Sequence, residues 1–385
     1  MIKNIHVEQL RPGMYVADLG STRLAREVIH NYGYMADANA IETLKNYGVS
    51  VVAINTDKGL DVPAKAAKAT PAKPVSFSAE MARAKNIHKQ TISLIKNLLS
   101  DVKLGHAIDT GAVGQVADDI VSSVFRNPNA LMCLGMIRRK DNYLMEHSVN
   151  LSVLMAIFGK HLGFEQGYIR ETAIGALLHD LGKIRVPDAI LHKPGGLSDA
   201  EFAVMRTHPA HSLEILQNLP DISRIALETA AQHHEKIDGT GYPHGLSGEQ
   251  LSIHGRMLAI VDVYDAITAD RCYHDRITAQ EALRRMLQWT RHHLDGELLQ
   301  QFIKAIGVYP VGSLVRLASG KMGVVLESRR DNVSKPLVRI FYNYKHRHYL
   351  PIEDVDMSRP RCTDHIIKAE DPRNFGIDID QFMPV

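Results

Sequence analysis

Two pairs of neighbouring polar residues, His179-Asp180 and His233-His234, stand inside runs of sequence that otherwise have the spacing of buried helices. His179 and Asp180 follow Ala176-Leu177-Leu178 at the end of IRETAIGALLHDL, and Asp262 interrupts LAIVDVYDAI. A lone charge in such a place costs several kcal/mol unless it is paired or bound to a metal. Any fold for this chain must therefore bring a partner to each of them. Eleven of the 20 histidines lie between His147 and His274, among them the isolated His147 and His208.

The surrounding pattern is helical. Apolar residues recur three and four apart in 81–102, 113–125, 147–162, 169–181, 200–216, 222–233 and 253–268. Breaks fall at Pro187, Pro194-Gly195-Gly196, Pro209, Pro220 and the stretch from Gly239 to Gly248. Pro209 suits the first turn of a helix and puts His208 at a helix N-terminus. These features predict an all-α domain over 77–307, large enough for a substantial core.

The flanks change period. Residues 1–60 combine short apolar patches, helical spacing at Ala40–Tyr47 and a β-branched run at Val49–Ile54, which predicts a small α/β or mostly β module. An Ala/Lys/Pro-rich stretch, DVPAKAAKATPAKP, reads as an exposed linker over 61–76. GSLVRLASGKMGVVL reads as two strands around Ser319-Gly320, and 336–344 and 347–352 alternate apolar with polar. A small β-barrel-like domain is expected over 308–358, followed by a tail, 359–385, without strong pattern. The expected fold is thus multi-domain, an all-α helical domain between two small modules.

Composition narrows the function. Lys+Arg is 45 against Asp+Glu 43, a formal +2, which argues against a protein that coats nucleic acid or an acidic membrane. The longest apolar stretches, such as Leu151–Gly159, fall far short of the ~20 residues that span a bilayer. MIKNIHVEQL is polar and mixed, so no secretory signal is expected there. Cys133, Cys272 and Cys362 are too scattered for a disulfide framework or a Cys-rich zinc site. A soluble, cytoplasmic protein is expected, with neither nucleic acid nor membrane insertion among its partners.

Neighbouring side chains on a helix point about 100° apart. Two adjacent pairs, joined by single His or Asp ligands from other helices, therefore fit two metals side by side, which in two-metal hydrolases are ~3.5–4 Å apart. Imidazole and carboxylate donors without thiolate favour Fe, Mn, Zn, Ni or Co. A single buried His is more often an ordinary core residue, and His161, His192, His211, His254 and His292-His293 are read that way. Between His234 and Asp262 lies HHEKIDGTGYPHGLSG, whose glycines and Pro243 suit a rigid loop that lets backbone approach a ligand. Tyr242 at its centre supplies an aromatic face and a hydroxyl to the wall of the site. Lys183 and Arg271 are cations placed for an anionic substrate, with solvated surface as the competing reading.

In order and spacing, HDLGKIRVPDAILHKPGGLS, HPAHSLEIL, HHEKIDGTGYPHGLSG and IVDVYDAITADRCYH resemble the HD-GYP family, a branch of the HD superfamily of metal-dependent phosphohydrolases. The resemblance covers Asp141 to Arg276 at motif level. It implies hydrolysis of cyclic di-GMP to pGpG or GMP. The metal ligands it implies are His147, His179, Asp180, His208, His233, His234 and Asp262, with Asp180 bridging two divalent ions, Fe or Mn foremost. It places Lys183 and Arg271 at phosphate contacts and makes Glu235, Asp238, Gly239, Gly241, Tyr242 and Pro243 the loop signature.

Two positions depart from the family pattern. Tyr143 stands where some members carry a Glu for a third metal, which argues against a third ion, although Asp141 and Glu146 are carboxylates nearby. His274 stands where a basic residue is common, and its charge is conditional near neutral pH. The segments VEQLRPGMYVADL and VVAINTDKGL resemble an uncharacterised domain often found ahead of HD-GYP domains, here read as a regulatory or sensory module.

The mechanism expected from the resemblance is attack on phosphorus by a hydroxide formed between two metals, with Asp180 and Lys183 in catalytic roles and Lys183, Arg271, Tyr242 and His274 as substrate contacts. A non-catalytic cyclic di-GMP receptor, and a module docking onto diguanylate cyclases or adaptor domains, are the alternatives. A homodimer is compatible with each.

Overall fold

In the second of the chain's two compact units, Ala72–Val385, helices follow one another in the order their apolar spacing dictates. The computed structural model describes residues 2–11, 14–18, 34–35, 41–42, 44–45, 51–58, 74–136, 143–269, 277–290, 292–328 and 332–383. Arg271, His274, Asp141 and most of the expected linker fall outside them.

Helix α1 (Phe77–Leu104) starts at Ser76, whose hydroxyl accepts from the Ala79 amide, and ends at Gly105 in the left-handed region. It is tied to α2 (Thr110–Arg126) by a fully buried carboxylate. Glu80 accepts from the Ser123 hydroxyl at 2.8 Å and from both arms of the Arg126 guanidinium at 2.7 Å. Two-pronged pairing of this kind is what makes a buried acid tolerable.

After α3 (Pro128–Met136) comes α4 (Tyr143–His161), which is apolar almost all round and therefore central. Leu151, Met155, Ile157 and Phe158 on it are sealed in the core, where α5 (Gln166–Leu178) packs alongside. A 3-10 turn at Leu181–Arg185 leads to the short α6 (Asp188–Leu191) and α7 (Asp199–Met205). Then come α8 (His208–Gln217), α9 (Arg224–Ala231), α10 (Ile253–Thr268), α11 (Ala279–Trp289) and α12 (Gly296–Ile306). The expected helical run 200–216 is two helices. Their junction at Arg206-Thr207 frees His208 to begin α8, with Pro209 in its first turn.

The first unit, Met1–Pro71, contains strands β1 (Ile2–His6), β2 (Tyr15–Asp18), β3 (Tyr34–Met35) and β4 (Val51–Asn55). They form an antiparallel sheet in the order β1-β4-β2-β3, over a small core that includes Ile5, Val16, Leu44, Val52 and Ile54.

The C-terminal module is an open sheet, which corrects the expectation of a barrel. Strands β5 (Leu314–Leu317), β6 (Lys321–Glu327), β7 (Leu337–Asn343), β8 (His348–Asp356) and β9 (Ile366–Ala369) run antiparallel in the order β8-β7-β6-β5-β9. No pairing joins β8 to β9 among the described residues. The central strands β5, β6 and β7 are covered on both faces, while β8 and β9 at the edges stay largely exposed. Leu314, Met322, Val324 and Phe341 belong to the helical core, while Val315, Leu317, Val325 and Val338 form a second cluster. The tail contributes β9, and Ile377, Ile379 and Met383 join the main core. No helix among the described residues is long and apolar enough to cross a membrane.

Candidate metal centre

Three helix ends aim three imidazoles at one place. The last carbonyls of a helix have no partner within it. Here His179, His208 and His233 each use one such carbonyl, three residues back. Nδ1 of His179 lies 2.8 Å from the Ala176 oxygen, that of His208 2.7 Å from Met205, and that of His233 2.6 Å from Ala230. A carbonyl can only accept, so each Nδ1 carries a proton, and in the neutral ring it is Nε2 that offers the lone pair. Fixing the far nitrogen in this way is how metal-binding histidines are usually oriented.

Ring nitrogens gather around two carboxylates. Asp180 Oδ1 is 3.3 Å from His208 Nε2 and 4.0 Å from His233 Nε2, and Asp180 Oδ2 is 3.2 Å from His179 Nε2. Asp262, on α10, has Oδ1 3.2 Å from His147 Nε2 and Oδ2 3.6 Å from His234 Nδ1. Asp180 and His147 are 3.9 Å apart, which joins the two halves. All are buried except His234, whose side chain keeps 26% exposure. The structure thus gathers every described residue expected as a metal ligand.

The electrostatics match this crowding. Burial works against the Asp180 carboxylate, yet the neighbouring His179 and Lys183 outweigh it and hold its pKa well below the ordinary value. For Asp262, burial is likewise outweighed, by the hydrogen bond from His147 and the nearby His234. Burial pushes His233 well down and His234 down to about 3, so both are neutral near pH 7.

These donors suit a metal. In the neutral rings, with Nδ1 protonated, the Nε2 atoms of His208 and His233 face each other at 3.3 Å as two lone pairs, an arrangement that a shared cation relieves. His179 Nε2 and Asp180 Oδ1 are buried without a hydrogen-bond partner among the described residues. The atoms of His208, His233 and His234, of His147, His179 and Asp262, and of His179, Asp180 and His233 each form a set within 4.8 Å of one another. A cation would satisfy all of these groups at once.

Supporting residues hold the ligands in place. Ser212 on α8 donates to the His179 carbonyl at 2.6 Å and accepts from the Gly182 amide at 2.8 Å. That clamp needs glycine at 182, because a Cβ there would strike the backbone of His208 and Ser212. Lys183, on the turn after Asp180, reaches its Oδ2 at 2.6 Å. Glu235 is buried and accepts from the His244 and Leu246 amides, which fastens the glycine-rich loop. Tyr242, ahead of a cis Pro243, lies with its ring 4.8 Å from that of His234.

Comparison with known proteins agrees. The HD domain family matches residues 132–298, and a domain of unknown function (DUF3391) matches 2–113. Cyclic di-GMP phosphodiesterase PA4108 of Pseudomonas aeruginosa is 39% identical over 383 residues, 96% of this chain and 92% of its own. The chain belongs to the HD-GYP family. A 3'3'-cGAMP-specific phosphodiesterase 2 of Vibrio cholerae is 41% identical over 128 residues, 33% of this chain and 24% of its own. Among solved structures, Bd1817, an HDG"Y"P protein from Bdellovibrio bacteriovorus, gives a TM-score of 0.49 at 16% identity, over 78% of this chain and 98% of that one.

Within this HD-GYP chain, two residues escaped the sequence reading. Asp265 is fully buried and its Oδ2 lies 2.7 Å from His147 Nδ1. Asn150, one turn after His147, donates to the other oxygen of Asp265. The available signal was a second acid three residues after Asp262 in the apolar stretch VDVYDAI. His254, read as an ordinary core residue, sits between Tyr168 and Glu228 at 2.9 and 3.0 Å.

Proposed function

We propose that this protein is a cytoplasmic, metal-dependent phosphodiesterase that hydrolyses cyclic di-GMP, releasing pGpG or GMP. The observation that carries the reading is the pair of Nε2 atoms of His208 and His233 facing each other over Asp180. The full-length similarity to a protein named for this activity supports the choice of substrate.

In this reading His147, His179, Asp180, His208, His233, His234 and Asp262 would hold two divalent ions, with Asp180 at the centre of the donor set. Fe and Mn are the foremost candidates, and Ni, Co and Zn are compatible with the same donors. Such ions, when bound, supply an activated water at neutral pH and stabilise charge on phosphate oxygens.

The chain's own residues do the rest. The backbone carbonyls of Ala176, Met205 and Ala230 keep three imidazoles in the tautomer that binds metal. Lys183 Nζ, one-fifth exposed beside Asp180, offers N–H donors to a non-bridging phosphate oxygen. Tyr242 walls the cleft beside His234, and burial raises its pKa, so its hydroxyl stays protonated and can donate to substrate. By the family resemblance, Arg271 and His274 add substrate contacts. The first sixty residues are assigned a regulatory role.

The test is metal analysis of anaerobically purified protein followed by chromatography of its products from cyclic di-GMP. Two ions per chain and a linear product are expected. Binding without product would favour the receptor or docking alternatives. The match to 3'3'-cGAMP-specific relatives favours one further substrate, 3'3'-cGAMP, and the same assay compares the two.

A further inference from the structure

Beyond the metal ligands, one short helix carries side chains that the fold itself does not use. Phe202 on α7 is 47% exposed, beside Val204 at 37%. One turn on, the Arg206 amide donates to the Phe202 carbonyl at 2.9 Å, so both side chains share a face of the helix. The Arg206 guanidinium lies 4.8 Å over the ring of Tyr242, and the Phe202 ring meets the same tyrosine edge-on at 6.5 Å. Tyr242 in turn lies against His234. A continuous path of rings therefore leads from the metal cluster to an exposed phenyl face and a guanidinium. Arg206 has no carboxylate partner among the described residues.

This helix is braced. Ser198 accepts from the Glu201 amide, Glu201 accepts from the Ser198 amide at 2.7 Å, and Lys193 reaches Glu201 at 2.6 Å. The capping box and ion pair tie down the first turn of α7, from which Phe202 follows directly.

We propose that Phe202 and Arg206, with Tyr242, form a guanine subsite that sets base specificity. Bases of any kind stack on exposed aromatic rings, and sequence tolerance is the mark of that contact. A guanidinium is different. It presents parallel N–H donors that match the O6 and N7 acceptors of guanine, whereas adenine offers a donor at N6 and would oppose one of them. Phe202 therefore supplies affinity and Arg206 supplies discrimination, while the phosphate lies over the metal cluster. The subsite rests on the phosphodiesterase reading above.

The experiment measures kcat/KM of metal-loaded wild type, F202A and R206A on cyclic di-GMP and cyclic di-AMP, with metal content determined for each. Inhibition constants replace turnover where cyclic di-AMP reacts too slowly. R206A is expected to lower the preference for cyclic di-GMP about ten-fold, mostly through KM. F202A is expected to raise KM for both dinucleotides by a similar factor of about ten, with metal content unchanged in both variants. Equal losses on the two substrates in R206A, or an unchanged preference, would overturn the subsite while leaving the phosphodiesterase intact. A fully metal-loaded wild type inert towards every cyclic dinucleotide would overturn the parent reading, and the subsite with it.

Discussion

Asp265 holds His147 from behind: its carboxylate receives the Nδ1 proton at 2.7 Å, while Nε2 of the same ring faces Asp262 one turn earlier on α10. A single helix thus supplies both a candidate ligand and the support for another. Carboxylate support of this kind typically contributes a factor of 10–100 in metal affinity. Asp265→Ala is expected to weaken metal binding by about that factor, read by calorimetric titration of the metal-free protein. Asp265→Asn, which keeps an acceptor but not the charge, is expected to lose less. Unchanged affinity in both variants would contradict the role.

Ser212 links the His-Asp turn to α8 by one donated and one accepted hydrogen bond. Replacing it with alanine leaves the Gly182 amide and the His179 carbonyl unsatisfied in a buried place. The expected cost is about 1–3 kcal/mol, measured by urea denaturation.

Gly241 is a point where the loop passes very close to earlier backbone. A Cβ there would lie 2.5 Å from the Cα of Glu235, so the loop must move. Gly241→Ala is expected to displace Tyr242 from His234 and to cut turnover at least ten-fold, on the scale of a misplaced catalytic group. Metal content, set by other residues, is expected to stay at the wild-type level.

The pH dependence of the metal-free protein follows from the buried histidines. His233 and His234 have folded pKa values below the ordinary ~6.5, so the unfolded chain binds their protons first as pH falls. Their contribution to stability is complete above about pH 6.5 and declines on acidification, for His234 down to about 3. His147 acts in the opposite sense. Burial disfavours its charge, but hydrogen bonds to Asp262 and Asp265 outweigh this and raise its pKa, so its contribution is lost as pH rises through the raised value. With two groups against one, Tm of the metal-free protein is expected to fall as pH drops from about 6.5 to 5. A flat or rising Tm across that range would contradict the assignment of neutral His233 and His234.

Much of the site was legible because it violates helical patterning. His179-Asp180, His233-His234 and Asp262 stand out in apolar runs, and apolar spacing placed their helices. Asp265 was not legible, since an acid one turn past another reads equally well as an exposed helix face; only the fold shows it sealed against His147. The strand pattern of 314–356 was readable, but alternation says nothing about whether sheet edges meet. Strand β9 was hidden because its four residues acquire meaning only beside β5. Phe202, proposed for the base subsite, was likewise hidden, as an apolar residue on a helix is expected to be buried and this one is not.

The central claim is that the histidines and acids around Asp180 together hold catalytic metal. The direct measurement is metal content and cyclic di-GMP turnover of Asp180→Ala beside wild type, both purified anaerobically. Loss of bound metal together with loss of product is predicted. A folded variant that keeps the wild-type metal content and rate would contradict it.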